Sequence, residues 1–484
     1  MKKKKLTYRR QFMKKVLGMS AGITTLASTS LHASQEKDST EEQPNILIIY
    51  TDQQALWTIS AYKEHTYMPV DIDTPNIDRI AQEGALLKNY FTNSAVCTPS
   101  RGCFVSGLYP HNNGAYKNNK PLNVKAIGDG TWGNLLYKNK YDTAWIGKWH
   151  LDGNAKPGRV KRFLGFGQEQ WRWNRGHWKG ILSNNNRIKK FSKKVLKDEK
   201  YTTNWLTNRA IDFLTKKSHE KNRKPFALTI SIPDPHGPLK IYEKYAKLYK
   251  NKVTLPKSID KKYDSNRPNW ANKNQSKLNI QKEKAQYLGM VKCIDDNVGR
   301  ILDTLDKYEM TENTIVIFTT DHGEFMGEHG FTGKNKMYEP AFHIPFLIKW
   351  PGKIQENSTI DAFITTVDIK KTILKLANIT TSSSDGRDAS NIILNQDSQN
   401  WENTAYLHHA SFKSTGIITE DWFMAHVKDK DSVLYSRKND PEQIHNLASE
   451  SDYADVMEIL TRMLHQHHQE VKTKKVLKWL ETYL

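Results

Sequence analysis

Asn45-Ile46-Leu47-Ile48-Ile49-Tyr50 is a continuous apolar run that stops at the polar pair Thr51-Asp52. A strand covered on one face alternates polar and apolar residues, whereas one covered on both faces has no need to. The run therefore predicts a central strand of a parallel sheet. Three more segments have the same form. They are Ala144-Trp145-Ile146-Gly147 before Lys148-Trp149-His150, Ala227-Leu228-Thr229-Ile230-Ser231-Ile232 before Pro233-Asp234-Pro235-His236, and Thr314–Thr320 before Asp321-His322-Gly323. Between them, a helix is predicted from about Thr74, with Ile77, Ile80, Ala81 and Ala85 at helical spacing, and another from about Lys282 to Leu305. Strands alternating with helices predict an α/β fold, a large mostly parallel sheet flanked by helices over residues 43–390. After the polar link Thr380-Thr381-Ser382-Ser383-Ser384-Asp385-Gly386, short strand-like pieces appear near Tyr406-Leu407 and Trp422-Phe423-Met424-Ala425. A terminal helix follows from Tyr453 to His465 or beyond. Residues 395–484 thus read as a smaller C-terminal α+β subdomain.

Residues 1–33 read as an export signal. Lys2 to Lys5 are basic, Arg9-Arg10-Gln11-Phe12-Met13-Lys14-Lys15 is a twin-arginine pattern, and Leu31-His32-Ala33 offers a cleavage position. The intervening apolar stretch is too short and too rich in Ser, Thr and Gly to span a membrane, and no later segment resembles a span. The expectation is therefore a periplasmic protein exported by the twin-arginine route. The signal holds eight Lys/Arg and no Asp/Glu, so the chain's formal +21 falls to +13 from Ser34 onward. Such a surface attracts nucleic acid, anionic lipid or an anionic polysaccharide, and export argues against nucleic acid. Cys97, Cys103 and Cys293 are too few, and odd in number, for a disulfide framework.

Ligands of a parallel sheet collect beyond the carboxyl ends of its strands. Asp52, His150, His236 and Asp321 all follow predicted strands, so residues far apart in sequence are expected to meet at one edge. Asp52, Gln53, Asp321 and His322 form a candidate site for a divalent cation, with a modified side chain at Cys97 adding a further oxygen. Calcium suits an irregular oxygen shell, and the histidine leaves manganese or another divalent cation open. Cys97 opens Cys97-Thr98-Pro99-Ser100-Arg101 at the head of a predicted helix, where free backbone N–H groups favour an anion. Arg101 adds a fixed charge beside it. Lys148, His150, His236 and Lys334 supply donors for a tetrahedral anion and a proton for a leaving oxygen.

These motifs together resemble a formylglycine-dependent sulfatase of the alkaline-phosphatase superfamily, of the cysteine type. Cys97-Thr98-Pro99-Ser100-Arg101 with Gly107-Leu108-Tyr109-Pro110-His111 fits the first signature, and Gly147-Lys148-Trp149-His150-Leu151 the second. Thr320-Asp321-His322-Gly323-Glu324, Gly327-Glu328-His329-Gly330 and Gly333-Lys334 fit the later block, and Asn439-Asp440-Pro441-Glu442 lies in the C-terminal segment. The resemblance spans roughly residues 43–450. It implies an alkaline-phosphatase-like catalytic domain at 43–390 and oxidation of Cys97 to formylglycine by a maturation enzyme. It also implies attack on sulfur by the aldehyde hydrate, with metal and Asp321 aiding deprotonation. His236 or Lys334 would protonate the leaving alcohol, and His150 would act as base when sulfate is expelled. Arg101 and Lys148 would hold the diol, while Lys148, His236 and Lys334 neutralise the sulfuryl oxygens. Many members carry a second aspartate where Gln53 stands, and Asp-Gln with Asp-His also resembles phosphonate monoester hydrolases, leaving phosphonate or phosphodiester hydrolysis as the alternative. The run Trp171-Arg172-Trp173-Asn174-Arg175-Gly176-His177-Trp178, with its indole faces and arginines, points instead to a sulfated polysaccharide or oligosaccharide.

Overall fold

The computed structural model describes residues 43–154, 164–260, 266–271 and 276–484, so the expected export signal lies outside the described residues. Residues 43–484 form one unit by their contacts. Its strands are β1 (Asn45–Asp52), β2 (Ala85–Leu87), β3 (Tyr90–Phe91), β4 (Asp142–Lys148), β5 (Arg172–Trp173), β6 (Gly180–Asn184), β7 (Arg187–Ser192), β8 (Phe226–Pro235), β9 (Thr314–Thr320), β10 (Phe346–Lys349), β11 (Ser358–Ile360), β12 (Ile364–Thr365), β13 (Thr404–His408), β14 (Ser414–Thr419), β15 (Trp422–Val427) and β16 (Val433–Ser436). The main sheet has eight strands in the order β11-β2-β10-β9-β1-β8-β4-β5. Only β10 runs against its neighbours in it. β1 is flanked by β8 and β9 and is buried along its whole length, as its unbroken apolar run requires.

Successive side chains of a strand point to opposite faces, and here the two faces belong to two cores. Ile46, Ile48, Tyr50, Ile315 and Ile317 pack on one side, with Phe104 of α2 (Cys97–Ser106), Trp132 of α3 (Trp132–Lys138) and Ile369 of α6 (Ile369–Leu376). Leu47, Ile49, Val316 and Phe318 pack on the other, against Ile77 of α1 (Pro75–Gln82), Leu206 of α4 (Thr202–Ser218) and Ile301 of α5 (Lys277–Lys307). Ala85 departs from the helical reading: α1 ends at Gln82, and Ala85 pairs with Ile348 as the first residue of β2. Near the C-terminus, β13 to β16 form an antiparallel sheet backed by α7 (Ala454–Glu470), the expected smaller α+β subdomain. Among the described residues no helix is long and apolar enough to cross a membrane.

Candidate active site

Strand ends and one helix head build the site. β1 delivers Asp52, β4 delivers Lys148, β8 runs into His236 and β9 into Asp321-His322, all at the carboxyl edge. Cys97 is the first residue of α2, which is buried throughout and stops at Gly107 in the left-handed conformation. Two other residues at strand ends, Gln53 and His150, hold positive φ of 63° and 60°, a costly backbone for side chains of this kind that points to over-determined surroundings.

Arg101 is the frame. Its Nε donates to Asp321 Oδ2 and one terminal nitrogen to Asp52 Oδ2, both at 2.9 Å, while the other donates to Ser231 Oγ at 2.8 Å and the Lys148 carbonyl at 3.1 Å. The guanidinium is fully buried and clamps both carboxylates through their Oδ2 atoms. Lys148 donates to the same oxygen of Asp52 and, at 2.8 Å, to His177 Nε2. Burial works against an ionised Asp52, yet Lys148 and Arg101 outweigh it and hold the carboxyl well below its usual range.

The Oδ1 atoms of the same carboxylates face the remaining donors. Cys97 Sγ lies 3.8 Å from Asp52 Oδ1 and 3.2 Å from His322 Nε2, and His322 Nε2 lies 3.5 Å from Asp321 Oδ1. Burial and Asp52 push the Cys97 thiol up, but Lys148, Lys334 and His322 prevail and hold it well below its ordinary value. His322 is raised: burial opposes its charge, and Asp321 and Cys97 favour it. One ligating atom from each of Asp52, Cys97, Asp321 and His322 lies within 4.8 Å of the others, all buried. Two carboxylates, an imidazole and the position-97 side chain fit a divalent cation.

Gln53 is engaged on its own account. Its backbone N–H donates to Asp321 Oδ1 at 2.9 Å, its amide nitrogen donates to Glu324, and its amide oxygen accepts from Lys334. Lys334 also meets His236 Nε2 at 2.8 Å. His150 is buried; burial first, then Lys148, lower its pKa, so it is uncharged near neutrality. Trp149 is entirely core. His177, from the tryptophan-rich run, reaches the charged cluster itself. Its ring stacks on His236 at 3.6 Å and 3°, and burial and Lys148 hold it well below the usual imidazole range. The tryptophans around it pack inward: Trp171 and Trp173 are buried, Trp178 stacks on Phe191, and Arg172 lies over the Trp149 ring.

Fold and site define a hydrolase of the alkaline-phosphatase superfamily, built around a buried nucleophile position, a cation-binding donor set and a ring of positive charge. The sulfatase family model matches residues 44–379, and the model for the C-terminal part of N-sulphoglucosamine sulphohydrolase matches residues 327–470. The chain belongs to the sulfatase family of formylglycine-type sulfuric-ester hydrolases. An N-acetylglucosamine-6-O-sulfatase of Bacteroides thetaiotaomicron is 27% identical over 93% of this chain and 91% of its own. Among solved structures, a chain in complex with its substrate D-glucosamine-2-N,6-O-disulfate superposes with a TM-score of 0.74 at 24% identity, covering 89% of this chain and 98% of that one. A phosphonate monoester hydrolase of Agrobacterium radiobacter does so with a TM-score of 0.73 at 19% identity, covering 89% and 96%. At such identities the two structures speak for the fold.

Proposed function

We propose that this chain hydrolyses sulfate esters of a sulfated carbohydrate, an oligosaccharide cut from a polysaccharide, with position 97 as formylglycine. One observation carries the reading: Cys97 heads a buried helix beside His322, Asp52 and Asp321, with Arg101, Lys148 and Lys334 around it. Hydrated formylglycine supplies a geminal diol, an oxygen nucleophile able to release sulfate by C–O cleavage. Asp52, Asp321, His322 and the position-97 oxygen, with Gln53 as the further expected donor, would hold a divalent cation, most simply calcium, which favours the deprotonated oxygen. Arg101 and Lys148 orient the position-97 group. Lys148, His236 and Lys334 carry positive charge or N–H groups against the sulfuryl oxygens. His236 or Lys334 delivers the proton to the leaving alcohol, and uncharged His150 is the base for the second step. The N-acetylglucosamine-6-O-sulfatase relative and the basic surface support the carbohydrate.

Free sulfate and free phosphate are measured separately across sulfated oligosaccharides, phosphonate monoesters and phosphate diesters. Sulfate release should dominate. Dominant phosphonate or diester hydrolysis would instead establish the second reading, favoured by the Asp52-Gln53 and Asp321-His322 pairs. A formylglycine-generating enzyme acting before twin-arginine export to the periplasm completes the proposal. Equal periplasmic recovery of the wild type and an Arg9→Lys/Arg10→Lys variant would refute that route.

A further inference from the structure

We propose a second metal site, for a borderline divalent cation such as Zn2+, formed by His408, His467 and His468. One ring nitrogen from each lies within 4.8 Å of the others, and all three residues are buried. His408 ends β13, and His467 and His468 sit in the last turn of α7, so the site joins the C-terminal helix to its sheet.

The rings are held before any ion arrives. Tyr109 stacks on His408 at 4.4 Å, and Tyr406 stacks on His467 at 3.8 Å and 2°. The Thr415 hydroxyl donates to the Leu407 carbonyl at 3.1 Å and meets His468 Nε2 at 2.6 Å. With the hydroxyl proton on that carbonyl, Thr415 accepts from Nε2–H, the arrangement that leaves His468 Nδ1 as a bare lone pair. That Nδ1 is buried and has no hydrogen-bond partner among the described residues. An outer oxygen that fixes the tautomer of a histidine is the usual support of a metal ligand. His408 Nε2 and His467 Nε2 are 2.9 Å apart, an N–H···N hydrogen bond whose proton a cation would replace as the two nitrogens part to about 3.3 Å.

The donor set contrasts with that at the active centre. Three imidazole nitrogens without a carboxylate suit zinc, cobalt or nickel and not calcium, which takes oxygen. The bound ion would brace the nucleophile segment, because the His408 backbone N–H donates at 2.7 Å to the carbonyl of Asn93, shortly before Cys97.

The test uses the full chain carrying Asp321→Asn, which weakens the other donor set. The protein is stripped with chelator, returned to excess Ca2+, then titrated with Zn2+ and separately with Co2+. Expected are about one Zn2+ per chain, the visible absorption of nitrogen-coordinated Co2+, and a rise in Tm that is lost when His408→Gln and His468→Gln are added. Zinc-edge anomalous diffraction from the Asp321→Asn protein locates the ion without touching a histidine, and so decides the matter even if the triple variant fails to fold. Absence of stoichiometric binding at micromolar Zn2+, or an anomalous peak only elsewhere, overturns the proposal.

Discussion

Cys97 and Cys103 lie on the same helix in opposite surroundings. Lys148, Lys334 and His322 hold the first thiol low, while burial and Asp385 push the second well above its ordinary value. Cys97 opens the Cys97-Thr98-Pro99-Ser100-Arg101 signature and Cys103 does not, so a formylglycine-generating enzyme would act at Cys97. Cys97→Ala should reduce sulfate release to background, whereas Cys103→Ala should keep turnover within about twofold and cost about 1 kcal/mol for the small cavity. Sulfate assays and urea unfolding check both. His177 carries a second prediction at this scale. As a neutral acceptor for Lys148 and a stacking plate for His236, it positions both groups. His177→Ala should lower kcat/KM about 10–100-fold while leaving the unfolding midpoint nearly unchanged, measured by steady-state kinetics beside a thermal melt. Asp52, Cys97, Asp321 and His322 were legible because each sits in a motif or after a strand. His177 was not, because it stands among tryptophans that belong to the core, and only the folded chain lays its ring on His236.

Gly147 shows how an element aims a side chain. It holds φ at 104°, and a Cβ there would lie 2.1 Å from the Ser231 carbonyl oxygen on the adjacent strand. β4 can approach β8 this closely only through glycine, and the next residue is Lys148. Gly147→Ala should cost about 2–4 kcal/mol from backbone strain and overpacking. It should also lower kcat/KM at least about tenfold by moving the lysine. Thermal unfolding and turnover read the two effects separately, and a variant as stable as the wild type would refute the packing argument. The central strands were readable because β1, β4, β8 and β9 carry apolar runs covered on both faces. Short elements at and next to the sheet's edges were not. β2, β5 and β11 have two or three residues, too few for a period to emerge, and their pairing comes from the sheet beside them. The hairpin β6–β7 is hidden in the sequence because Lys189 and Lys190, exposed residues of its second strand, leave no apolar alternation to read.

Across the molecule, burial of carboxyl groups outside the reacting centre makes stability depend on pH. Glu328 is 1% exposed, accepts from the Tyr67 hydroxyl, and is pushed by burial up to about 8, with Tyr67 and Lys284 only partly opposing the shift. In the unfolded chain the same group titrates near 4.5. Between those values the folded state binds the extra proton, so this group's stabilisation is complete below pH 4.5 and is lost as pH rises through 8. The loss amounts to at most about 5 kcal/mol. Glu339 acts in another window. Its burial is outweighed by Arg437, which holds it below the usual carboxylate range, so its contribution is present above that range and lost only toward acid. Urea unfolding of the wild type and of Glu328→Gln at pH 5, 7 and 9, with Ca2+ fixed, separates the two. The wild type should weaken relative to the variant from pH 5 to pH 9, and the variant, which keeps an acceptor for Tyr67, should be the more stable at pH 9. A constant difference between them over that range would show that Glu328 is ionised in the folded protein throughout.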